Sequence, residues 1–466
     1  MTAFIVQNDF THGEFSPLLK GRFNLEFYNK GAEFLRNVVV LTQGGVKRRF
    51  GSKFLSKIDI GDPENLNLQD FQFNDTVSFI LIFVDREVRI FDVDGVILTT
   101  IITPYPSPAI NDLKVAQTTN LMMIVHPDFM PRELFVDVND FTSWTFKEFE
   151  FKSIPPHDFD KAYFTSSFEL NPVNGGDVGT LEVVSGPFVF TEAFVGGILE
   201  GPGASNSNLL GFGNIVSLVN TTSVEVSIVN SFRNNGGNTM DAVGVELVIA
   251  ERAFSDLLSD GSGNRGWPQT VTFYQTRLYF GGSRSLPATL FGSVVAEFEN
   301  FNVGIGLDSD AIIEVLATNG FTSINHLVGD KTLQIFTTNA EYSPPQLSDT
   351  PLTPGGISVR KQSNNGSTNV EPVILDNNTF YVKRGGRGVM EFKFVYEAQS
   401  YQSNEISLIS NHLINTPVDA GVWKGSTRDD NDYLFLVNTD GTLAIYQTRQ
   451  GQAISAWTLA ETDGKY

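Results

Sequence analysis

The amino-acid sequence predicts a mainly β fold, with a propeller-like core of antiparallel meander blades, an inserted β domain and few short helices. The 466 residues include 39 Phe, 12 Tyr and 42 Gly, a composition that favours strands joined by tight turns. Short apolar runs alternate with Asn-Gly, Asp-Gly and Asn-Asn turn signals. Hairpin-like units recur at roughly fifty residues, which is in the range of four-stranded propeller blades and favours a propeller over a sandwich.

The first elements are expected within residues 24–40 (NLEFYNKGAEFLRNVVV). Apolar side chains such as Tyr28 and Leu35 fall on one face of a helix here, but Gly31 interrupts the pattern. We therefore expect a short, broken helix that leads into a strand. The glycines at 44 and 45 then permit a turn with positive φ, which predicts a hairpin with a basic cluster at its tip or root.

Residues 77–151 predict the first meander blades. The run SFILIFV is followed by VRIFDV, VILTTII, TNLMMIV and WTFKEFEF, with short polar turns between them. Consecutive hairpins of this kind give a meander. The strict alternation of the last run, residues 144–151, indicates one buried face and one solvated face.

The composition changes after Pro155-Pro156, where aromatic residues become rarer and joints rich in Gly, Ser and Asn take over. We therefore place an N-terminal segment and the first blades at 1–160 and an inserted β domain at 161–265. The remaining blades are expected at 266–466, with hairpins around residues 277–292, 332–342, 379–394 and 433–446.

The formal net charge is −21, from 32 Lys and Arg against 53 Asp and Glu. A general phosphate-binding surface needs a basic face, so this charge argues against adhesive binding to nucleic acid. Because the chain has no Cys, disulfides, thiolate nucleophiles and thiolate zinc sites are excluded. The start lacks a secretory signal pattern and SFILIFV is too short to span a bilayer, so we expect a soluble chain that inserts into no membrane by itself.

Motifs for catalysis are missing from the sequence. The five His residues are not spaced as zinc ligands, and no nucleophile elbow, Walker loop or dinucleotide fingerprint occurs. Residues 260–264 offer oxygens at alternate positions, as a calcium loop does, but Arg265 replaces the glycine of the sharp turn. We therefore predict no enzyme, no catalytic residue, no cofactor and no metal. A glycosidase-type pair of carboxylates stays open, because its approach in space is invisible in a sequence.

A series of motifs occurs in one order along most of the chain, with the weakest match at about 160–265. It begins with G-x-x-S-P at Gly13 and G-G-x-x-R-R-x-G-x-x-F at Gly44. It continues with VHPDFMPREL, GWPQTVTFYQTRLYFGGSRSLPATLFGS, DSDAI, LQIFTTNAEY, LTPGGISVRKQSNNGS, VMEFKFVY, YQSNEISLISNHL and NTDGTLAIYQTRQGQAISAW. In these motifs the chain resembles the tail nozzle proteins of short-tailed bacteriophages, also called the tail tubular protein B family.

The chain departs from the family pattern in two places, and there the properties of the family are less directly expected. The usual R-R-P-G-T reads RRFGS at residues 48–52 and so lacks the proline. The chain also stops soon after Trp457, where relatives often continue with more strands. We therefore expect the last blade to be closed either by the N-terminal strands or by another protein.

The resemblance implies a structural protein of the virion tail, assembled in the host cytoplasm. Six copies would form a nozzle or hub ring, the lower tail tube through which the genome is ejected. The implied partners are other copies in a homohexamer, the tail adaptor or head-tail connector ring, tail fibres or spikes, and genomic DNA in transient contact. An acidic channel would repel the phosphates and let the DNA slide.

The resemblance also makes the basic residues near the start candidates for contacts between subunits or with the adaptor, because a guanidinium holds a carboxylate through a fork of donors. These candidates are Arg36, Lys47, Arg48 and Arg49. Composition alone leaves a solvated basic turn as the alternative. Two other functions stay open: a virion-borne polysaccharide depolymerase that uses two carboxylates, and a receptor-binding tail module formed by the inserted domain.

Overall fold

The computed structural model describes residues 7–59, 65–157, 166–204, 211–233, 240–241, 248–256, 265–304, 306–318, 320–345, 351–425, 431–449 and 454–466. It confirms the predicted fold class, because antiparallel strands dominate and the helices are short 3₁₀ segments. These helices are Pro17–Leu19, Tyr28–Lys30, Ser107–Asp112, Glu192–Phe194 and Asn411–Leu413. None of the helices in these ranges is long and apolar enough to cross a membrane.

The region expected to hold a broken helix and a strand contains both. The helix is the single 3₁₀ turn Tyr28–Lys30, and the strand is β1 (Val38–Val40), which forms an antiparallel hairpin with β2 (Val46–Arg48). The chain divides into two compact units, and this hairpin belongs to the first. Unit 1 comprises Met1–Leu55, Asp330–Asp349 and Ser358–Tyr466, and unit 2 comprises Ser56–Gly329 and Thr350–Ile357.

Unit 2 contains three four-stranded antiparallel sheets in which consecutive strands pair, as in propeller blades. The first is β3 (Asn67–Gln72), β4 (Ser78–Val84), β5 (Glu87–Asp92) and β6 (Ile97–Ile102), and the second is β7 (Lys114–Thr118), β8 (Leu121–His126), β9 (Phe129–Asp137) and β10 (Asp140–Glu148). Their apolar faces share one core that includes Phe71, Phe83, Ile90 and Met122. Each such side chain contributes about 1.5–3 kcal/mol on burial.

Within residues 161–265, the structure has one seven-stranded antiparallel sheet. Its strands are β11 (Ser167–Asn171), β12 (Val178–Ser185), β13 (Ile198–Gly201), β14 (Gly211–Asn220), β15 (Ser223–Asn230), β16 (Met240–Asp241) and β17 (Val248–Ala250), in the order β16-β11-β12-β15-β14-β13-β17. One face buries a separate core that includes Leu170, Leu181 and Val226. The sheet therefore has its own apolar interior.

The third four-stranded sheet of unit 2 is β18 (Thr270–Tyr274), β19 (Arg277–Gly281), β20 (Thr289–Gly292) and β21 (Ile312–Val315). Its core residues include Phe280 and Phe291. They pack against Met123 of β8 and against Phe149, the residue after β10. Strand β22 (Ile324–Gly329) comes next, and the amide of Leu327 donates a hydrogen bond to the hydroxyl of Thr270 at 3.2 Å.

Unit 1 is also built from antiparallel meanders. Its strands are β23 (Leu333–Thr337), β24 (Glu341–Ser343) and β25 (Arg360–Ser363), then β26 (Val373–Leu375), β27 (Asn378–Val382), β28 (Val389–Val395) and β29 (Ser400–Glu405), and finally β30 (Pro417–Trp423), β31 (Asp432–Asn438), β32 (Leu443–Arg449) and β33 (Ile454–Ala460). The last two groups each form a four-stranded sheet. All four hairpins expected after residue 266 are present, as β19–β20, β23–β24, β27–β28 and β31–β32.

Candidate assembly surface

The N-terminal segment of unit 1 pairs with β33, the strand at one edge of the last sheet. The amide of Glu14 donates to the carbonyl of Trp457 at 2.8 Å, and the amide of Leu459 donates to the carbonyl of Leu35 at 3.1 Å. Backbone donors and acceptors on β33 that would otherwise face solvent are thereby paired. The last sheet already has four strands, β30 to β33, and the N-terminal residues pair with its last strand.

Gly13 allows this close approach. Its φ is +71°, and a Cβ at this position would lie 2.6 Å from the carbonyl oxygen of Trp457, a backbone atom that cannot rotate away. A residue with a side chain would therefore meet both backbone strain and a clash. The G-x-x-S-P motif begins with a glycine because the segment lies directly on β33.

The side chain of Glu14 also holds the N-terminal segment in place. Its carboxylate is fully buried, accepts a hydrogen bond from the amide of Leu35 at 2.7 Å and one from the guanidinium of Arg36, and lies 3.0 Å from Nε2 of His412. Because the carboxylate only accepts, Nε2 of His412 is the donor. Burial alone would raise the pKa of Glu14, but the hydrogen bonds from His412, Leu35 and Arg36 together lower it.

Arg36, the first candidate contact, is therefore engaged within its own chain. Besides Glu14, it pairs through Nε with Oε1 of Glu461 at 3.2 Å. About a third of its side chain remains exposed. Its position explains how the segment is held, and a role between subunits stays a prediction.

The other three candidates follow the turn of the β1–β2 hairpin. Lys47 and Arg48 lie on β2, opposite Val39 and Val38, so the cluster is at the root of the hairpin. The hairpin is anchored through β1, since the amide of Val40 donates to the side-chain oxygen of Gln447 at 2.6 Å. All of β2 is exposed, whereas Val39 and Val40 are buried.

Lys47 and Phe50 form an exposed cation and aromatic pair. The ammonium of Lys47 lies 4.8 Å from the centre of the Phe50 ring, close enough for a cation–π interaction. Phe50 packs edge-on against Trp423 of β30, with ring centres 5.8 Å apart. Phe50 and Trp423 are 47% and 40% exposed, so this group presents aromatic surface beside a positive charge.

Arg48 and Arg49 differ in what they touch. Nε of Arg49 donates to the side-chain oxygen of Asn37 at 2.9 Å, and its guanidinium lies 5.8 Å from the ring of Tyr466. Arg48 is exposed, and in the described part of the chain no side chain forms a hydrogen bond or ion pair with it. Within the basic cluster, Arg49 therefore holds the N-terminal segment, whereas Lys47 and Arg48 face solvent.

The sequence did not reveal the roles of Glu14 and His412. The two residues are 398 positions apart, and neither lies in a pattern that signals a buried ion pair. The only hint was the G-x-x-S-P motif that contains Glu14. A His near the end of a short 3₁₀ helix carries no recognisable spacing to that motif.

Two features for which the sequence predicted no metal site are His126, one of the five His residues, and residues 260–264. Nδ1 of His126 accepts a hydrogen bond from the amide of Asp128 at 3.0 Å, in the turn that follows β8. The calcium-like residues 260–264 lie outside the described residues. Among the residues that are described, no three His, Asp or Glu side chains are grouped so as to hold a metal.

A surface cleft of about 370 Å³ in unit 2 has charges of both signs. Inside it, Nζ of Lys147 pairs with Glu133 at 3.1 Å, and the hydrogen bond and charge of Glu133 raise the pKa of Lys147. Nζ of Lys152 pairs with Glu297 at 2.7 Å. The cleft is lined by Glu133, Lys147, Glu150, Phe151, Lys152 and Glu299.

The chain is distantly similar to several solved structures. The chain aligns with dihydro-heme d1 dehydrogenase NirN at 10% identity and a TM-score of 0.27, over 67% of this chain and 57% of that protein's length. It aligns with the Neurospora crassa Pan2 WD40 domain at 8% identity and a TM-score of 0.31, over 76% and 79% of the two chains. For Kluyveromyces lactis Hsv2p the identity is 8% and the TM-score 0.30, over 82% and 93%. With TM-scores this low, none of these proteins supports a function for the chain.

No protein-family model matches the sequence, and no curated protein matches it.

Proposed function

We propose that this chain is a structural protein of a bacteriophage tail, a nozzle or hub subunit whose copies form a ring around the channel through which the genome leaves. The observation that carries the proposal is a segregation of charge along the chain. Residues 1–57 contain nine Lys and Arg against four Asp and Glu, whereas the rest contains 23 against 49. A basic segment on an otherwise acidic chain favours contact between copies, because opposite potentials then meet.

The exposed part of the β1–β2 hairpin supports this proposal. Lys47 and Arg48 are both exposed, and Lys47 lies over the ring of Phe50, which packs against Trp423. Protein interfaces are enriched in aromatic residues and Arg, and an Arg fork binds a carboxylate of a neighbour through two hydrogen bonds. We therefore propose Lys47 and Arg48 as the residues of this hairpin that contact the next subunit or the connector ring.

The acidic remainder of the chain fits the proposed channel. A wall with excess carboxylate repels the phosphates of DNA, so contact with the genome is transient and the DNA does not adhere. The homohexamer, the connector ring and the tail fibres or spikes remain the proposed partners, and the virion tail the proposed location. The protein acts in this proposal by assembly, without a chemical step.

The proposal is tested with the full chain by electron microscopy and native mass spectrometry. We expect rings of six copies with a central channel, and we expect Arg48→Glu to weaken them while the fold is unchanged. Arg387→Glu, at another exposed arginine of unit 1, is the matched control and should assemble normally. A wild-type chain that stays monomeric at all concentrations and never enters virions would contradict the proposal.

A further inference from the structure

Residues 16–31 form a closed loop on the surface of unit 1. Its two ends are joined by backbone hydrogen bonds, from the amide of Phe15 to the carbonyl of Ala32 and from the amide of Ala32 to the carbonyl of Gly13, both 2.9 Å. The amide of Ser16 also donates to the carbonyl of Ile409 at 2.7 Å. Compact loops whose ends meet in this way are frequently functional.

The loop is packed by its own side chains. The hydroxyl of Tyr28 accepts a hydrogen bond from the amide of Gly21 at 2.9 Å, and the rings of Phe23 and Tyr28 meet edge-on at 5.0 Å. At the base, Phe15 contacts Phe27 with ring centres 5.8 Å apart. A loop held by these contacts loses little conformational entropy when it binds a partner.

Its outer surface is apolar and basic. Leu18 is 88% exposed and Phe23 is 79% exposed. Burying these two side chains against a partner would therefore stabilise the complex. Residues 16–31 contain Lys20, Arg22 and Lys30 against a single acid, Glu26. The loop thus combines two apolar side chains with an excess of positive charge.

We infer that this loop docks onto the acidic surface of a second copy of the chain, with Leu18 and Phe23 buried in the contact. The inference rests on the proposed function, since it names one of the contacts that hold the copies together. Charge complementarity favours a second copy as the occupant, because residues 58–466 carry 49 acids against 23 bases. An anionic membrane would instead repel a chain of net charge −21.

The loop can exchange its own ion pair for one with a neighbour. Nζ of Lys20 lies 2.9 Å from Glu33, but both side chains are largely exposed. An ion pair in water contributes little stability, so Lys20 can turn to a carboxylate of another copy without a large cost. Salt should then weaken the contact between copies.

The experiment compares the full chain with a Leu18→Ser/Phe23→Ser variant by sedimentation velocity over a range of protein and NaCl concentrations. We expect the variant to raise the Kd of assembly by about 10- to 100-fold, as loss of apolar anchors does in other interfaces. Tyr396→Ser is the matched control, because Tyr396 is 77% exposed in unit 1 outside the loop, and it should leave the Kd unchanged.

The outcomes separate this inference from the proposed function. If wild type assembles and the loop variant assembles equally well, the loop contact is overturned while the ring survives. A wild-type chain that never assembles overturns both. If phosphatidylglycerol vesicles bind wild type but not the variant, and assembly is unaffected, the loop is a membrane contact and the inference fails.

A second measurement tests the same contact if the Leu18→Ser/Phe23→Ser variant folds poorly. A photo-reactive phenylalanine analogue at position 23 leaves the rest of the loop as it is. We expect cross-links between copies, mapped by mass spectrometry to acidic segments of the second chain. Cross-links confined to single chains would overturn the inference.

Discussion

The buried carboxylate of Glu14 lies 3.0 Å from Nε2 of His412, although 398 residues separate the two in sequence. Together with Arg36, His412 provides the charge-assisted hydrogen bonds that make burial of this carboxylate tolerable. The N-terminal segment is therefore fastened to unit 1 by a polar contact as well as by its backbone pairing with β33.

Replacing Glu14 by Gln should destabilise unit 1 by about 2–3 kcal/mol, because the donors of Arg36 and His412 lose a charged acceptor without a change in volume. Urea unfolding followed by tryptophan fluorescence measures the change. Glu33→Gln, in the exposed pair with Lys20, is the control and should leave the stability unchanged. Equal stabilities of the two variants would show that the Glu14 contact contributes nothing.

The same residue predicts a pH dependence. The folded-state pKa of Glu14 is lowered from its ordinary value of 4.5, so the stability it provides is fully present above that value. It is lost as the pH falls through the folded-state pKa, because protonation then removes the charge. Acid unfolding of Glu14→Gln should lack this part of the transition, and an acid profile identical to wild type would refute the assignment.

Gly13→Ala and Gly21→Ala should differ, although both glycines have positive φ. At position 13 the methyl group would meet the backbone of Trp457, whereas at position 21 nothing lies within 4 Å. We expect about 1 kcal/mol of destabilisation for Gly21→Ala from backbone strain alone, and at least about 3 kcal/mol for Gly13→Ala. Hydrogen exchange of the Leu459 amide, which bonds to Leu35, should speed up in Gly13→Ala only.

Arg277 should not tolerate lysine. Its buried guanidinium donates to the carbonyls of Asp308 at 2.7 Å and Asp310 at 2.6 Å, and to that of Ser293. An ammonium cannot reach all three carbonyls at once, so Arg277→Lys should cost about 3 kcal/mol in unit 2. The control is Arg284→Lys in the exposed pair with Asp128, for which thermal unfolding should be unchanged.

Glu200 predicts the opposite pH dependence to Glu14. Burial on β13 raises the pKa of Glu200 to about 7. The carboxyl group therefore stays protonated to a higher pH in the folded state than in the unfolded chain. The contribution of Glu200 to the free energy of unfolding is fully present below pH 4.5 and is lost as the pH rises through about 7. Glu200→Gln should raise the stability at pH 8 by about 2 kcal/mol, after allowance for partial exposure.

The measurement is urea unfolding at pH 5 and pH 8. Glu182→Gln, at an exposed position of β12 in the same sheet, is the control and should show no pH-dependent gain. A gain of equal size at both pH values would mean that Glu200 does not hold a proton in the folded state.

Local sequence patterns predicted most of the hairpins. For β31 and β32, an apolar run on each side of Asp440-Gly441 was enough, because Gly441 adopts a φ of +82° and the turn closes within a few residues. The expected strand at 144–151 was less accurate. The strand β10 ends at Glu148, and Phe149 leaves it to pack against Phe280 of β19, with ring centres 6.0 Å apart.

The candidate surface was only partly predictable. A basic turn after two glycines indicated the hairpin, but the sequence could not show that Arg49 bonds to Asn37 whereas Arg48 faces solvent. That difference depends on the side-chain directions of Arg48, the last residue of β2, and of Arg49, which follows the strand. The anchoring of Arg36 by Glu14 and Glu461 was equally hidden, because pairs this far apart in sequence leave no periodic signal.

The pairing of the N-terminal segment with β33 orders events during synthesis. Thr11, Glu14 and Leu35 leave the ribosome long before their backbone partners Ser455, Trp457 and Leu459 are made. The entropy of closing so long a chain is lost in one step, after translation has passed residue 459. We therefore expect the basic segment to stay undocked on nascent chains until residues 455–459 have been made, so that shorter nascent chains do not display the loop and the hairpin in the form that other copies would bind.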